Sequence, residues 1–115
     1  MPKQYDLEQR TEEFAKSVIT ACKKLPKGTI NNELVSQEVR SAGSVGANYI
    51  EANEGLSKKD FANRIKICRK EAKECRYWLK LIASTNPDFE TELNVLMQES
   101  TELMNIFGAI LKKVV

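Results

Sequence analysis

Seven residues in one stretch have the types and spacing to handle a polyanion: Lys66, Arg69, Lys70, Lys73, Arg76, Tyr77 and Lys80. Steps of three, one, three, three, one and three place them on one face of a helix. At about 1.5 Å of rise per residue the row is about 21 Å long. Cations so arranged can neutralise successive phosphates, with Arg69 and Arg76 as two-pronged clamps, while the Tyr77 ring can stack a base. Such a face binds RNA or DNA with strong salt dependence and little sequence preference. A second reading stays open: the row is an outward charged face whose matching carboxylates come from the second and fourth helices or from a neighbouring subunit.

The distribution of charge sharpens the question. The whole chain carries 18 basic and 16 acidic residues, a net charge of only +2. Residues 58–84, however, hold nine cations against Asp60, Glu71 and Glu74, or +6. The second helix (Glu33, Glu38, Glu51 and Glu54 against Arg40) and the fourth (five acids against Lys112 and Lys113) each come to −3. Ordinary solvated faces interleave signs more evenly than this.

Other chemistry finds little to work with. The chain has no histidine, the usual general acid and base, and lacks both a nucleophile elbow and a phosphate-cradling glycine loop, so no catalytic residue and no enzymatic activity are expected. Asn48, Glu51 and Glu54 share one helix, but bundle carboxylate sites pair Glu with Glu-x-x-His, so no metal or other cofactor is expected. Cys68 and Cys75 stand one heptad apart, about 10 Å along the axis, too far for a disulfide, and read as small core residues. Trp78 flanks the basic row and reads as a core-edge or subunit-contact residue. In SAGSVGANY, Ala42, Gly43, Gly46 and Ala47 permit close backbone approach, most simply at a tight helix crossing.

These residues need helices to carry them, and the pattern supplies four, at about 6–24, 32–54, 58–84 and 87–114. The first carries Leu7, Phe14, Val18, Ile19 and Leu25 at three- and four-residue steps and stops at Pro26-Lys27-Gly28. Asn31 or Asn32 can cap the second, and Gly55 can close it. Ser57 caps the third, Asp60 follows, and Leu56 can staple onto Phe61. Phe61, Ile65, Cys68, Ala72, Cys75, Leu79 and Ile82 then form an unbroken 4-3-4-3-4-3 seam. Asn86-Pro87-Asp88 supplies a cap, a first-turn proline and an early acid for the fourth helix.

Short loops fold four such helices into an all-α, antiparallel up-down-up-down four-helix bundle, one domain over residues 1–115. Three cysteines, an odd number, and no leading signal segment point to a reducing cytoplasm. No apolar run approaches the ~20 residues needed to span a bilayer, so no membrane association is expected.

Residues 36–83, in the order Arg40, Ser44-Val45, Asn48, Glu51, Glu54-Gly55, Ser57-Lys58-Lys59-Asp60-Phe61 and Glu71 to Leu79, resemble a known family. It comprises the four-helix-bundle proteins first noticed as reading frames within intervening sequences of bacterial 23S ribosomal RNA. The Tyr49-Ile50-Glu51-Ala52-Asn53-Glu54 segment, where many members read more like N-I-A-E-G, marks a distinct branch. The resemblance implies a ring-like homopentamer without enzymatic activity. A related group accompanies the reverse transcriptases of diversity-generating retroelements, which implies nucleic acid and such a polymerase as partners.

Overall fold

The computed structural model describes residues 6–55 and 57–114. Leu56, expected to staple onto Phe61, lies outside the described residues. Four helices follow in order: α1 (Leu7–Lys23), α2 (Thr29–Asn53), α3 (Lys58–Thr85) and, after one 3₁₀ turn (Pro87–Phe89), α4 (Glu90–Val114). They form the expected four-helix bundle, with principal extents of 44 × 29 × 19 Å.

Side-chain caps fix two of the helix starts, at Ser57 as expected and also at Asp6. The Asp6 carboxylate accepts from the Gln9 backbone N–H at 3.0 Å, and the Ser57 hydroxyl accepts from Asp60 N–H at 3.1 Å. Each satisfies one of the donors that a helix N-terminus otherwise leaves unpaired.

The second start differs from the sequence expectation. α2 begins at Thr29, behind Gly28, with no side-chain cap. Asn31 is drawn elsewhere: its amide donates to Pro26 O at 2.8 Å and to Asn86 Oδ1 at 2.9 Å. Asn86 Nδ2 donates back to Asn31 Oδ1 at 2.9 Å and to Ile82 O at 2.8 Å, so Asn86 does not cap the next turn either. The two asparagines instead clasp the start of α2 to the end of α3.

The core is organised on α3. Ile65, Cys68, Ala72, Cys75, Leu79 and Ile82 are fully buried, and Phe61 is half-buried at the end of the seam. Each large aliphatic side chain removed from water contributes about 1.5–3 kcal/mol, so truncating Leu79 to Ala costs about 2–5 kcal/mol. Facing α3 are Val45 of α2 and Leu93, Leu103 and Phe107 of α4, all buried. α3 packs most extensively against α2 and α4, whereas α1 lies mainly on α2 and touches α4 lightly.

The small residues of α2 divide between two roles. A Cβ on Gly46 would come within 2.8 Å of Thr11 Oγ1 and 3.2 Å of Thr11 Cβ, so glycine is what lets α1 approach there. Ala42 is buried beside this crossing, but Gly43 and Ala47 are exposed, and a Cβ on Gly43 meets nothing within 4 Å. Ile19 also departs from expectation: it is 42% exposed, pointing away from the seam that Phe14 and Val18 fill.

Candidate nucleic-acid interface

All seven residues of the row, Lys66, Arg69, Lys70, Lys73, Arg76, Tyr77 and Lys80, are exposed on one side of α3. Tyr77 is 55% exposed, and its ring meets that of Trp78 edge-on, with centroids 5.2 Å apart. Trp78 is half-buried, in keeping with a core-edge residue. Among the described residues, no carboxylate lies within ion-pair distance of any of the six cations.

Three acids of α4 are engaged elsewhere. On α4, Glu99 and Glu102 turn towards α1, where Glu99 accepts from Arg10 Nε at 2.7 Å and from Arg10 Nη2 at 2.8 Å. Glu102 accepts from the same Nη2 at 2.8 Å, and Glu92 pairs with Lys24 at 3.1 Å. These bonds hold the Arg10 proton well beyond its ordinary range, with Glu99 as the main cause. The flank of α4 that faces α3 instead carries Met97, Thr101, Met104, Asn105 and Gly108, none of them acidic.

The acids of α3 do not pair with the row either. Asp60 sits in the first turn of α3, where it complements the helix dipole. Glu71 is buried, and Glu74 faces Arg40 of α2 at 4.0 Å. Arg64, the cation on the α2 side of α3, donates to Asn48 Oδ1 at 2.9 Å. Within one chain, therefore, helices two and four do not neutralise the row. Sequence alone could not separate the two readings at this point, because which flank of α4 holds its acids depends on how the helices pack.

Along the α4 side the positive surface continues beyond the residues picked out from sequence. Arg69 borders a cleft that Met104, Asn105, Gly108, Leu111 and Lys112 of α4 also line. Gly108 lies beside Arg69: a Cβ there would make an ordinary contact, 4.0 Å from Arg69 Nε. A glycine inside a 25-residue helix, at a helix cost of about 1 kcal/mol, was the sequence signal for this feature.

The α2/α3 contact holds a second polar group that sequence counted only as surface charge. Glu38 is fully buried, and neither of its carboxyl oxygens accepts a hydrogen bond from the described residues; Ser41 Oγ, Glu71 Oε1 and Trp78 Nε1 are likewise buried without a protein partner. Burial pushes the Glu38 carboxyl up to about 9, against a smaller downward pull from the Cys75 thiol. A neutral carboxylic acid is thus the form the core holds at pH 7, and the −3 assigned to the second helix overstates its charge. No group of three or more His, Cys, Asp or Glu side chains among the described residues is placed to hold a metal ion. No helix among them is long and apolar enough to cross a membrane.

Comparisons with known proteins agree with this geometry. A crystal structure of a protein of unknown function from the S23 ribosomal protein family of Bacteroides thetaiotaomicron superposes with a TM-score of 0.81 at 29% identity. The match covers 91% of this chain and 97% of that one. No curated protein sequence matches the chain. The model of the 23S rRNA-intervening sequence protein family matches residues 3–109, and the chain belongs to that family.

Proposed function

We propose that the protein is a non-catalytic homo-oligomer, pentameric as the family resemblance implies, that binds RNA or DNA through the exposed face of α3. One observation carries this reading: six cations and a tyrosine share one face, and no carboxylate among the described residues neutralises them. A phosphate backbone supplies the missing negative charge, and its binding releases counterions. Repetition of the face in each subunit multiplies weak contacts through avidity. Self-association is supported by a groove between α1 and α4, lined by Phe14, Val95 and Leu96, where Val95 is 66% exposed. The cytoplasm is the compartment proposed, and a reverse transcriptase is a candidate protein partner on the resemblance alone.

The test is fluorescence anisotropy with labelled RNA and DNA at low salt. The wild type should bind, and the variant with Lys66, Arg69, Lys73 and Arg76 all changed to Ala should lose at least about a hundredfold in affinity. Undiminished binding by that variant sinks the reading.

A second reading has its own support, because the first turns of α1 expose Asp6, Glu8, Glu12 and Glu13 in one cluster. A neighbouring subunit or a protein partner with such a surface could dock on the basic face, making the protein an interaction scaffold. Light scattering on the Arg69→Glu/Arg76→Glu variant separates the two. Loss of the oligomer favours the scaffold, whereas an intact oligomer that no longer binds nucleic acid favours the first reading.

A further inference from the structure

We infer that the cleft between α3 and α4 at Gly108 receives one unstacked nucleobase of a single-stranded nucleic acid, with the flanking phosphates held by Arg69 and Lys112. This rests on the nucleic-acid reading above and narrows its ligand to single strands.

A nucleobase is a flat ring with apolar faces, a polar edge and a charged phosphate on either side. A site for it needs an apolar lining, an amide or similar group for the edge, open space between them, and cations at the mouth. The cleft meets each requirement. Met104 and Leu111 line it, Asn105 brings an amide that can both donate and accept, and Arg69 and Lys112 border it with positive charge. Its volume of about 420 Å³ falls towards the small end of ligand clefts, typically about 300–1,000 Å³.

Gly108 borders the open space. A leucine there would project into the cleft beside Arg69, whereas the Cβ of an alanine would make only an ordinary contact, 4.0 Å from Arg69 Nε. Charge complements the ligand as well, since the mouth is continuous with the six-cation row through Arg69, and the α3-facing flank of α4 brings no carboxylate near it.

Base pairing explains the selectivity. In a duplex each base is stacked on both faces and paired along its edge, so it cannot enter a cleft between two helices without leaving the stack. A single strand presents its bases freely. Tyr77, eight residues along α3 and therefore about 12 Å from Arg69, offers a second, exposed ring on which another base can stack.

The experiment compares a short labelled single strand with a duplex of the same sequence, using the full chain and its Gly108→Leu, Gly108→Ala and Asn105→Ala variants. Circular dichroism and sizing first establish that each variant keeps its helix content and assembly. A fluorescent adenine analogue placed in the strand reports unstacking. The wild type should bind the single strand more tightly than the duplex and brighten the analogue. Gly108→Leu should weaken single-strand binding by about tenfold or more and abolish the brightening, while duplex affinity stays within about twofold. Asn105→Ala, on an exposed side chain, should weaken the single strand in the same sense even if Gly108→Leu fails to fold. Equal affinity for strand and duplex, or single-strand binding that ignores both Gly108→Leu and Asn105→Ala, overturns the cleft while leaving the basic-face reading intact. Absence of binding to either nucleic acid at low salt overturns both.

Discussion

Arg10 of α1 grips Glu99 of α4 through two parallel hydrogen bonds, Nε to Oε2 at 2.7 Å and Nη2 to Oε1 at 2.8 Å. The pair joins the first and last helices across a contact that few other side chains support. It also turns an α4 carboxylate away from α3, and so bears on why the basic face stays unneutralised. Structure and surface charge are set by the same bond.

A double-mutant cycle measures that bond. Arg10→Ala, Glu99→Ala and the double variant should show a coupling of about 1 kcal/mol in urea unfolding at low salt, since the pair is two-pronged and partly screened from solvent. Strictly additive single losses would mean that the two side chains merely lie side by side.

Glu38 gives the fold a pH dependence of definite sign. Its folded-state value of about 9 lies above the unfolded-chain value of about 4.3, so between those limits the folded protein holds a proton that the unfolded chain has lost. Stability should therefore fall as pH rises from about 5 to about 9, by up to about 1.4 kcal/mol per pH unit from this group. Glu38→Gln, and more so Glu38→Met, should flatten that decline and stabilise the protein at pH 8. Urea midpoints followed by Trp78 fluorescence and by circular dichroism would reveal it. A wild-type midpoint that does not change over this range would show that Glu38 reaches solvent.

The cysteines should be silent in the native state. Burial pushes Cys22 up to about 11 and Cys68 up to about 12, and it raises Cys75 further still, with the Glu38, Glu71 and Glu74 carboxyls adding to the effect. Thiolate is the reactive form, so a disulfide reagent at pH 8 should label none of the three in the folded protein and all three in denaturant. Rapid labelling of Cys75 without denaturant would contradict the packing of the α2/α3 contact.

Much of the fold was legible in the sequence because it is written in local terms. The 4-3 spacing from Phe61 to Ile82 places the seam of α3, and Ser57 marks its start by a bond three residues long. What escaped depends on partners distant in the chain. Asn31 looks like a helix cap until Asn86, 55 residues away, claims its side chain. Glu38 looks like one more surface acid until the register of α2 against α3 turns it inward. Ile19 looks like core until the thin α1/α4 contact leaves it outside.

The candidate site divides the same way. The row from Lys66 to Lys80 follows from helical spacing alone, and the structure places each member where that spacing puts it. Its freedom from carboxylates among the described residues was not legible, because Glu99 and Glu102 could have faced either neighbour of α4. Lys112 and Asn105 join the surface only because α4 runs alongside α3, and Gly108 signals the cleft only once its neighbour Arg69 is known.

The central claim is that the outward cations of α3 meet phosphates, and the salt dependence of binding tests it most directly. A plot of log affinity against log salt concentration for a single strand should fall steeply, with a slope of roughly −4 if all six cations of one face engage, at about 0.7 per phosphate. Each change to Ala among Lys66, Arg69, Lys73 and Arg76 should make the slope shallower by about 0.7. A slope near zero, or one that those substitutions leave unchanged, would contradict the account.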